Sequence, residues 1–384
     1  MSDNKAEIWL AQHPEIESIF ACVCDLNGTM RGKRVPVDQL SKVIEGGLRM
    51  PLSIVGMDIW GEDVENSELV FETGDSDGLC DFTSRQLMPI TWTSRPTALA
   101  MLWMRQEDGA PFPGDPRRAL ARVAEQYKER GLTPVVATEL EFYLVDPSED
   151  CPQAPRSPVT GKRLESDGAM SLDELQHFDE FLNDVYDACE LQGIPADAAI
   201  SENGINVFDN GGDEGTPLLL NAVAGLLATM QQNTLTFAPH ENSYRRLLPG
   251  AHAPTSVSWG YENRTAAIRI PGGDSKARRI EHRVAGADAN PYLVLTSILG
   301  GALLGIENDM QPAAPIIGNA YSMNLDNLPL DWATAIDDFR KGADVPAIFS
   351  KRLQTMMVEC KMQELRKFGR YVTSFEYDSY LEIV

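Results

Sequence analysis

The sequence predicts a two-domain protein that mixes helices and strands, with a small α+β domain first and a larger α/β domain after it. The cluster of proline and glycine from Gly109 to Pro113 is the strongest linker signal in the first third. Helix and strand patterns alternate beyond it. A chain of 384 residues is long enough for two domains with a large buried core.

The first domain begins with a short helix within residues 5–20 and an apolar strand from Ser18 to Leu26. That strand turns at Asn27-Gly28, a dipeptide typical of tight turns. The other elements expected here are a helix from Val37 to Leu48 and strands around Ser53 to Ile59 and Thr97 to Arg105.

The second domain begins with a helix from Asp115-Pro116 to Arg130, since an acidic residue before proline is typical of a first turn. Gly131 ends this helix, and a strand from Pro134 to Leu144 follows. The other elements expected are a helix from Leu172 to Gln192, a strand from Ala198 to Ser201 and a buried helix from Tyr292 to Ile306. This last stretch falls short of the roughly 20 apolar residues needed to span a bilayer.

The composition is strongly acidic. A formal net charge of −24 repels nucleic acid and anionic membranes and attracts cations. The alternative is that the acidity serves only solubility. The start lacks a basic region followed by an apolar one, so we expect no signal peptide. Six scattered cysteines without CxxC spacing argue against zinc and disulfide frameworks, and we expect a cytoplasmic protein.

Two carboxylates mark the strand expected at Pro134 to Leu144. Glu139 and Glu141 alternate with apolar residues and would share one face of it. Paired carboxylates in a half-buried place repel each other unless a cation lies between them, and a hard divalent ion suits oxygen ligands. An acidic strand edge facing solvent is an equal alternative.

Arginines gather in the last third of the chain. In Arg278-Arg279-Ile-Glu281-His-Arg283, strand periodicity would place Arg279, Glu281 and Arg283 on one face. Further arginines are Arg245, Arg246, Arg264 and Arg269. The planar guanidinium suits phosphate and carboxylate oxygens, so carboxylates with arginines indicate phosphoryl transfer from a metal nucleotide. Exposed arginines that pair with an acidic surface are the alternative. No GxxxxGK[ST] or GxGxxG motif occurs.

Three blocks resemble the glutamine synthetase family: Thr138-Glu-Leu-Glu-Phe-Tyr143, Asn263-Arg-Thr-Ala-Ala-Ile-Arg-Ile-Pro271 and Arg279-Ile-Glu281-His-Arg283. The blocks Asp25 to Pro36, Ile194 to Asp197, Asn242 to Arg246 and Val284 to Leu293 resemble the γ-glutamylpolyamine (γ-glutamylputrescine) synthetase branch. The resemblance spans almost the whole chain.

The resemblance implies an α+β fold. Residues 1–112 would form a β-grasp N-terminal domain, and residues 113–384 a glutamine-synthetase-type catalytic domain with a curved antiparallel sheet flanked by helices. It also implies a homo-oligomer, a dodecamer of two hexameric rings with active sites between neighbouring subunits. ATP would phosphorylate the γ-carboxylate of glutamate, and an amine would then displace phosphate.

The resemblance also assigns roles to residues. Glu141 and Glu202 would hold one metal ion, Mg²⁺ or Mn²⁺, and Glu139 and Glu281 a second ion on the ATP phosphates. Arg246 and Arg283 would bind glutamate carboxylates. The remaining assignments give Arg264, Arg269 and Arg279 to phosphate charge and Asp58 to the amine site of the neighbouring subunit.

One departure from the family concerns the amine. His252, in Arg246-Leu-Leu-Pro-Gly-Ala-His252, stands where ammonia-using enzymes carry a flap glutamate. An imidazole can act as a base near neutral pH. The substitution favours a polyamine such as putrescine, or a small alkylamine, over ammonia.

The larger departure is an internal deletion. Ser201-Glu202-Asn203-Gly204 passes directly to Ile205-Asn206, whereas the family carries several dozen residues between these blocks. Metal ligands and part of the nucleotide wall would be lost with them, so we expect the catalytic domain to be incomplete at the Gly204–Ile205 junction. The alternatives to an amine ligase are an ammonia-using glutamine synthetase and a catalytically inactive family member that acts as a binding or assembly subunit.

Overall fold

A computed structural model describes residues 3–148, 151–164, 171–194 and 206–383. Its helices are α1 (Asp3–Gln12), α2 (Leu40–Ile44), α3 (Pro116–Glu129), α4 (Leu172–His177), α5 (Asp179–Leu191), α6 (Pro217–Phe237), α7 (Pro291–Glu307), α8 (Trp332–Lys341), α9 (Val345–Phe349), α10 (Lys351–Phe368) and α11 (Ser374–Tyr380). Its strands are β1 (Ser18–Cys24), β2 (Met30–Pro36), β3 (Leu48–Pro51), β4 (Asp77–Phe82), β5 (Met88–Ile90), β6 (Thr97–Arg105), β7 (Trp259–Tyr261), β8 (Ile268–Ile270) and β9 (Glu281–His282).

The first six strands form one sheet in the order β2-β1-β6-β4-β3, with β5 also paired to β6. β1 is antiparallel to β2 and parallel to β6, with Ser18 opposite Thr97. The strand SIFACVC is buried on both faces, which is why it takes an interior place in the sheet. On β2, Gly32 lies so close to the backbone of Ala21 that no side chain would fit.

The C-terminal part is built around the packed helix pair α6–α7. Gly225 of α6 faces Gly301 and Gly305 of α7, and a Cβ atom at any of these glycines would clash with the facing helix. One face of this pair packs against the three-stranded sheet β7-β8-β9. That sheet is mixed, because β7–β8 is parallel and β8–β9 antiparallel.

Helix α10 joins the two parts of the chain. Its buried residues Leu353, Met356 and Met357 belong to the same apolar core as β1, β6 and α8. Polar residues of α10 meanwhile contact the loop of residues 57–65. The loop that follows the N-terminal strands is therefore held by a helix from the far end of the chain.

Several sequence predictions are confirmed. β1 and β6 lie where strands were expected, and α3 begins after Asp115, whose side chain accepts a hydrogen bond from the Arg117 amide as an N-cap. The helix expected from Leu172 to Gln192 is present as α4 and α5. The buried helix expected at Tyr292 to Ile306 is α7.

The strand predicted from Pro134 to Leu144 is wrong. Residues 132–145 have no strand partner, and apolar side chains there are exposed, Leu140 at 67% and Tyr143 at 95%. A strand needs a neighbour for its backbone groups, and in the described chain no second segment pairs with this one. The exposed apolar residues of this segment are Val135, Val136, Leu140, Phe142, Tyr143 and Val145.

Other boundaries also differ. Residues Leu52–Gly56 form a 3₁₀ turn where a strand was expected around Ser53 to Ile59. The helix predicted from Val37 to Leu48 is a 3₁₀ turn and the short α2, because β3 already begins at Leu48. The strand predicted from Ala198 to Ser201 lies outside the described residues. Within the described ranges, no helix is both long and apolar enough to cross a membrane, and all six cysteines are free thiols.

Candidate functional site

The centre of the candidate site is an arginine–glutamate pair on the small sheet. Arg269 of β8 and Glu281 of β9 are cross-strand partners. Their side chains lie on the same face because opposite residues of an antiparallel pair share a face. Arg269 Nη1 donates to Glu281 Oε2 at 2.8 Å. The guanidinium is nearly buried and the carboxylate 29% exposed, so the pair lies at the edge of solvent.

Glu262 holds the other side of Arg269. Arg269 Nη2 donates to Glu262 Oε2 at 3.0 Å, and the second oxygen of Glu262 accepts from the Gly272 amide. The Gly272 hydrogen bond, followed by the one from Arg269, lowers the pKa of Glu262. Burial alone would lower the pKa of Arg269, but Glu262 and Glu281 raise it above its ordinary value. Arg269 therefore stays charged between two carboxylates.

Arg283 approaches Glu281 from the opposite side. Its Nε lies 3.1 Å from Glu281 Oε1, and its Nη1 donates to the carbonyl oxygen of Arg264. Glu281 thus bridges Arg269 and Arg283. Two fixed guanidinium groups around one partly exposed carboxylate are suited to an incoming phosphate or carboxylate anion.

Arg246 is held beside the same sheet edge. Its Nη2 donates to the carbonyl oxygen of Val284, the residue after Arg283. Burial lowers the pKa of Arg246, and the charges of Asp288 and Glu141 offset part of this effect. Of the two carboxylates predicted on the segment 132–145, Glu141 therefore acts electrostatically on a predicted substrate-binding arginine.

The sequence predicted that Arg279, Glu281 and Arg283 share one face of a strand, and this face is only partly formed. The strand β9 contains Glu281 and His282 alone, and Arg279 is exposed outside it. The buried arginine of this run is Arg278, whose guanidinium donates to the carbonyl oxygens of Gly212 and Asp213. Strand periodicity fails here because the chain bends before residue 281.

Two further predicted residues lie exposed. Arg264 has an exposed side chain, while its carbonyl oxygen accepts the hydrogen bond from Arg283. His252 is exposed on a loop and adopts a φ of 57°, a left-handed conformation rare outside glycine. Such strain at a non-glycine residue is typical of functional loops.

The predicted metal ligands do not form a ligand set. Glu139 and Glu141 are exposed on the extended segment, and Glu281 is engaged by two arginines. Glu202 lies outside the described residues. In residues 3–148, 151–164, 171–194 and 206–383, no group of three or more His, Cys, Asp or Glu side chains is placed to hold a metal ion. The described carboxylates alone therefore do not fit a divalent cation.

Asp58 is buried and fully hydrogen-bonded, and it lies far from the arginines in the sequence. Its Oδ1 accepts from the amides of Trp60 and Glu62, and its Oδ2 from Gln363 and Lys367 of α10. Burial would raise the pKa of Asp58, but these hydrogen bonds, led by Lys367, hold it below its ordinary value. The carboxylate is an anion with no exposed surface.

Sequence reasoning missed Glu262, Asp288 and Lys367. Glu262 directly follows β7 and precedes the Asn263 block. Its position next to that block was the sequence signal that could have identified it. Asp288 accepts from Ser243 Oγ at 2.6 Å and has no comparable pattern. Lys367 lies 309 residues from the aspartate it contacts, and no local pattern connects them.

Two cavities of the described chain lie away from the candidate site. One cavity is lined by Leu144, Val145 and Phe178, and another by Leu52, Phe112 and Arg352 with neighbouring residues. None of the predicted site residues lines either cavity. The arginine–glutamate array can bind an anion at the sheet edge, but the described residues supply only one wall for it.

A comparison with protein families gives a match over the part of the chain that contains the small sheet. The family described as "Glutamine synthetase, catalytic domain" matches residues 113–208 and 199–380. The two matches overlap at 199–208, which contains the junction where the deletion was expected. A single uninterrupted domain would give one continuous match.

Two curated relatives extend over most of the chain. Gamma-glutamylputrescine synthetase PuuA of Escherichia coli (strain K12) is 33% identical over 438 aligned residues, covering 96% of this chain and 93% of the relative. Glutamine synthetase of Pyrococcus abyssi (strain GE5 / Orsay) is 26% identical, covering 91% and 90%. Both alignments, of 438 and 413 residues, are longer than this chain of 384. The relatives therefore carry residues that this chain lacks.

A solved structure shares the fold. The structure titled "GmaS/ADP complex-Conformation 1" is 19% identical, has a TM-score of 0.76 and covers 100% of both chains. At that identity the likeness establishes the architecture alone.

Proposed function

The chain belongs to the glutamine synthetase family, and we propose that it is an ATP-dependent ligase that joins the γ-carboxylate of glutamate to an amine through a γ-glutamyl phosphate. The observation that carries the proposal is the array on β8 and β9, in which Arg269 and Arg283 converge on Glu281. Such an array suits the phosphate and carboxylate groups that this reaction brings together.

In this proposal, different arginines bind glutamate and ATP. Arg246 and Arg283 bind glutamate carboxylates, while Arg264, Arg269 and Arg279 neutralise the phosphates of ATP. The burial of Arg246 beside the sheet supports a binding role, because a buried guanidinium attracts a carboxylate partner. When one phosphoryl oxygen replaces Glu281 at Arg269, Glu262 keeps the guanidinium in place.

The proposed amine is a polyamine such as putrescine or a small alkylamine. The relative that uses putrescine by name is 33% identical, against 26% for the glutamine synthetase. His252 on its exposed loop would assist amine deprotonation. An amine must be neutral to attack, so turnover should rise with pH as the amine loses its proton.

The proposal includes a β-grasp domain over residues 1–112, a catalytic domain over 113–384, and a homo-oligomer of two hexameric rings in the cytoplasm. The curved antiparallel sheet expected in the catalytic domain is not the sheet described there, because β7 and β8 are parallel. The start of the family match at residue 113 supports the boundary. Mg²⁺ or Mn²⁺ is the proposed metal cofactor. The metal would be held by Glu139, Glu141, Glu202 and Glu281 together with residues that the relatives carry and this chain lacks.

A second candidate is a catalytically inactive family member that acts as a binding or assembly subunit. Two observations favour it. The alignments are longer than the chain, and the described carboxylates do not assemble a metal site.

One experiment separates these functions. Phosphate release from ATP is measured with glutamate and putrescine, with glutamate and ammonium, and with glutamate alone. The chain is compared with a restored chain. In the restored chain, the residues of the Escherichia coli relative that have no counterpart in this chain are inserted at the Gly204–Ile205 junction.

The outcomes are distinct. Putrescine-dependent release by the chain as it stands supports the ligase. Release by the restored chain alone supports the inactive subunit, and release by neither removes the amine ligase. Equal release with ammonium would instead indicate an ordinary glutamine synthetase.

A further inference from the structure

The turn of residues 57–62 is held by side chains of α10. The Ile59 amide donates to Glu364 Oε1 at 2.8 Å. Glu364 also pairs with Lys361 at 2.8 Å, and neither of these side chains has exposed surface. Asn27 links Lys361 to the turn by donating to the Met57 carbonyl oxygen. The turn therefore has one fixed conformation, because breaking a buried pair is costly.

Within this turn Asp58 acts as the anchor. Each of its carboxylate oxygens already accepts two hydrogen bonds, and the residue is fully buried. A carboxylate in this state has no free surface for a substrate. The side chains that the turn presents to solvent are Trp60, 48% exposed, and Glu62, 66% exposed.

An alkylammonium group already lies between these two side chains. The ammonium nitrogen of Lys367 is 2.6 Å from Glu62 Oε2 and 2.5 Å from Asp58 Oδ2. The same nitrogen lies 4.8 Å from the centroid of the Trp60 ring. Carboxylates on one side and an indole face on the other are the groups that recognise organic cations, and tryptophan gives the strongest cation–π contact.

The ordinary explanation is a surface ion pair, which contributes little to stability. An ion pair alone, however, does not require an aromatic ring. Phe368 supports the Trp60 ring at 5.6 Å, and the Asp58 anchor fixes the turn. The three groups around the Lys367 nitrogen are therefore held in place from both sides.

We propose that Trp60 and Glu62, together with Asp58 Oδ2, form a recognition site for a primary alkylammonium, that Lys367 fills this site in the structure, and that Asp58 Oδ1 anchors the turn. This proposal rests on the proposed amine ligase and names its amine-recognising side chains. A primary ammonium has three N–H donors. Two can reach Asp58 and Glu62, while the attached methylene chain lies along the indole.

The chemistry favours an alkylamine over ammonium. An ammonium ion can satisfy the carboxylates, but it has no methylene groups to cover the Trp60 ring. A diamine adds a second cationic end, which the net charge of −24 attracts.

The test is chemical rescue of the Lys367→Ala variant in the whole chain. Its thermal unfolding midpoint is measured against increasing n-butylammonium and putrescine, with sodium and tetramethylammonium chloride at matched ionic strength. The expected result is a saturable rise of about 2 °C with the primary amines alone. The unsubstituted chain should respond only at higher amine concentrations, because the amine must first displace Lys367.

Further variants define the site. Adding Trp60→Leu or Glu62→Gln to Lys367→Ala should abolish the rescue. The matched control is Lys341→Ala, since Lys341 forms a 2.5 Å pair with Asp337 and, within the described chain, has no aromatic ring over it. If Lys367→Ala does not fold, Lys367→Ser replaces it.

Three results would overturn the proposal: no rescue, equal rescue by sodium or tetramethylammonium, or equal rescue of the Lys341→Ala control. The measurement needs neither ATP nor glutamate. Rescue without ligase activity would therefore support the alkylammonium site and reject the ligase. Ligase activity without rescue would support the ligase and reject the alkylammonium site.

Discussion

Arg269 and Glu281 face each other across the β8–β9 pair, with a guanidinium nitrogen 2.8 Å from a carboxylate oxygen. This register fixes the geometry of the candidate site, because both side chains project from hydrogen-bonded strands. Arg283, two residues further on, then reaches the other oxygen of Glu281. Shifting β9 by one residue would move Glu281 to the opposite face of the sheet.

Replacing Glu281 by Gln should remove about 99% of glutamate-dependent phosphate release in the restored chain, by analogy with the roughly 100-fold losses seen when groups around a metal site are removed. The amide cannot balance Arg269 and Arg283, and it is a poor metal ligand. Phosphate release gives the measurement. The control is Glu107→Gln, which removes an exposed partner of Arg49 3.2 Å away. Unchanged release in Glu281→Gln would remove this residue from the site.

Changing Arg283 to Lys should raise the KM for glutamate about tenfold and leave the KM for ATP nearly constant. Arg283 uses Nε for Glu281 and Nη1 for the Arg264 carbonyl oxygen, and a single ammonium cannot span both. A tenfold change corresponds to about 1.4 kcal/mol. Steady-state kinetics of the restored chain provide the check. A rise in the KM for ATP alone would mean that the arginines are assigned to the wrong substrates.

Stability should fall as the pH decreases from about 6.5 towards 4. Burial lowers the pKa of His282 to about 3, and its Nδ1 has no hydrogen-bond partner among the described residues. The unfolded histidine, with a pKa near 6.5, binds a proton first, so stability is present above that pH and is lost below it. Between pH 7 and 5 this histidine should account for a loss of about 2 kcal/mol.

The check is urea unfolding of the chain and of His282→Phe at pH 7 and 5. The variant keeps an aromatic ring against Phe237, whose centroid is 4.5 Å away. It should lose about 2 kcal/mol less than the parent over this interval. An equal pH dependence in both proteins would show that His282 is protonated in the folded state.

The segment of residues 132–145 should tolerate polar substitutions. Leu140 is 67% exposed, so Leu140→Ser should change the free energy of unfolding by less than about 0.5 kcal/mol. Ile268 of β8 is fully buried, and Ile268→Ala should cost about 2–5 kcal/mol. Urea unfolding of both variants gives the comparison. A cost above 2 kcal/mol for Leu140→Ser would mean that this segment is packed against another surface.

Local sequence signals predicted the elements whose stability is local or whose burial is continuous. β6 carries a seven-residue apolar run between Thr97 and Arg105, and α3 carries its own N-cap in Asp115. The segment around Leu140 has an equally strong strand pattern. It does not form a strand because strand formation depends on a partner elsewhere, and the relatives carry residues that this chain lacks.

For the candidate site, the motifs predicted residue types better than their contacts. Arg269 and Glu281 come together because they lie on adjacent strands, and Arg283, the residue after β9, reaches Glu281 as well. The environment of Asp58 could not be predicted, because Gln363 and Lys367 reach it from more than 300 residues away. A long-range contact of this kind leaves no periodic pattern in the sequence.

The most direct test of the amine-ligase proposal is a competition between amines. The chain and the restored chain are incubated with ATP, glutamate, Mg²⁺ and equal concentrations of putrescine and ammonium at pH 8, and the products are quantified by mass spectrometry. The account predicts γ-glutamylputrescine in excess of glutamine, formed only when ATP is present. Glutamine as the main product, or no γ-glutamylputrescine from the chain as it stands, would contradict it.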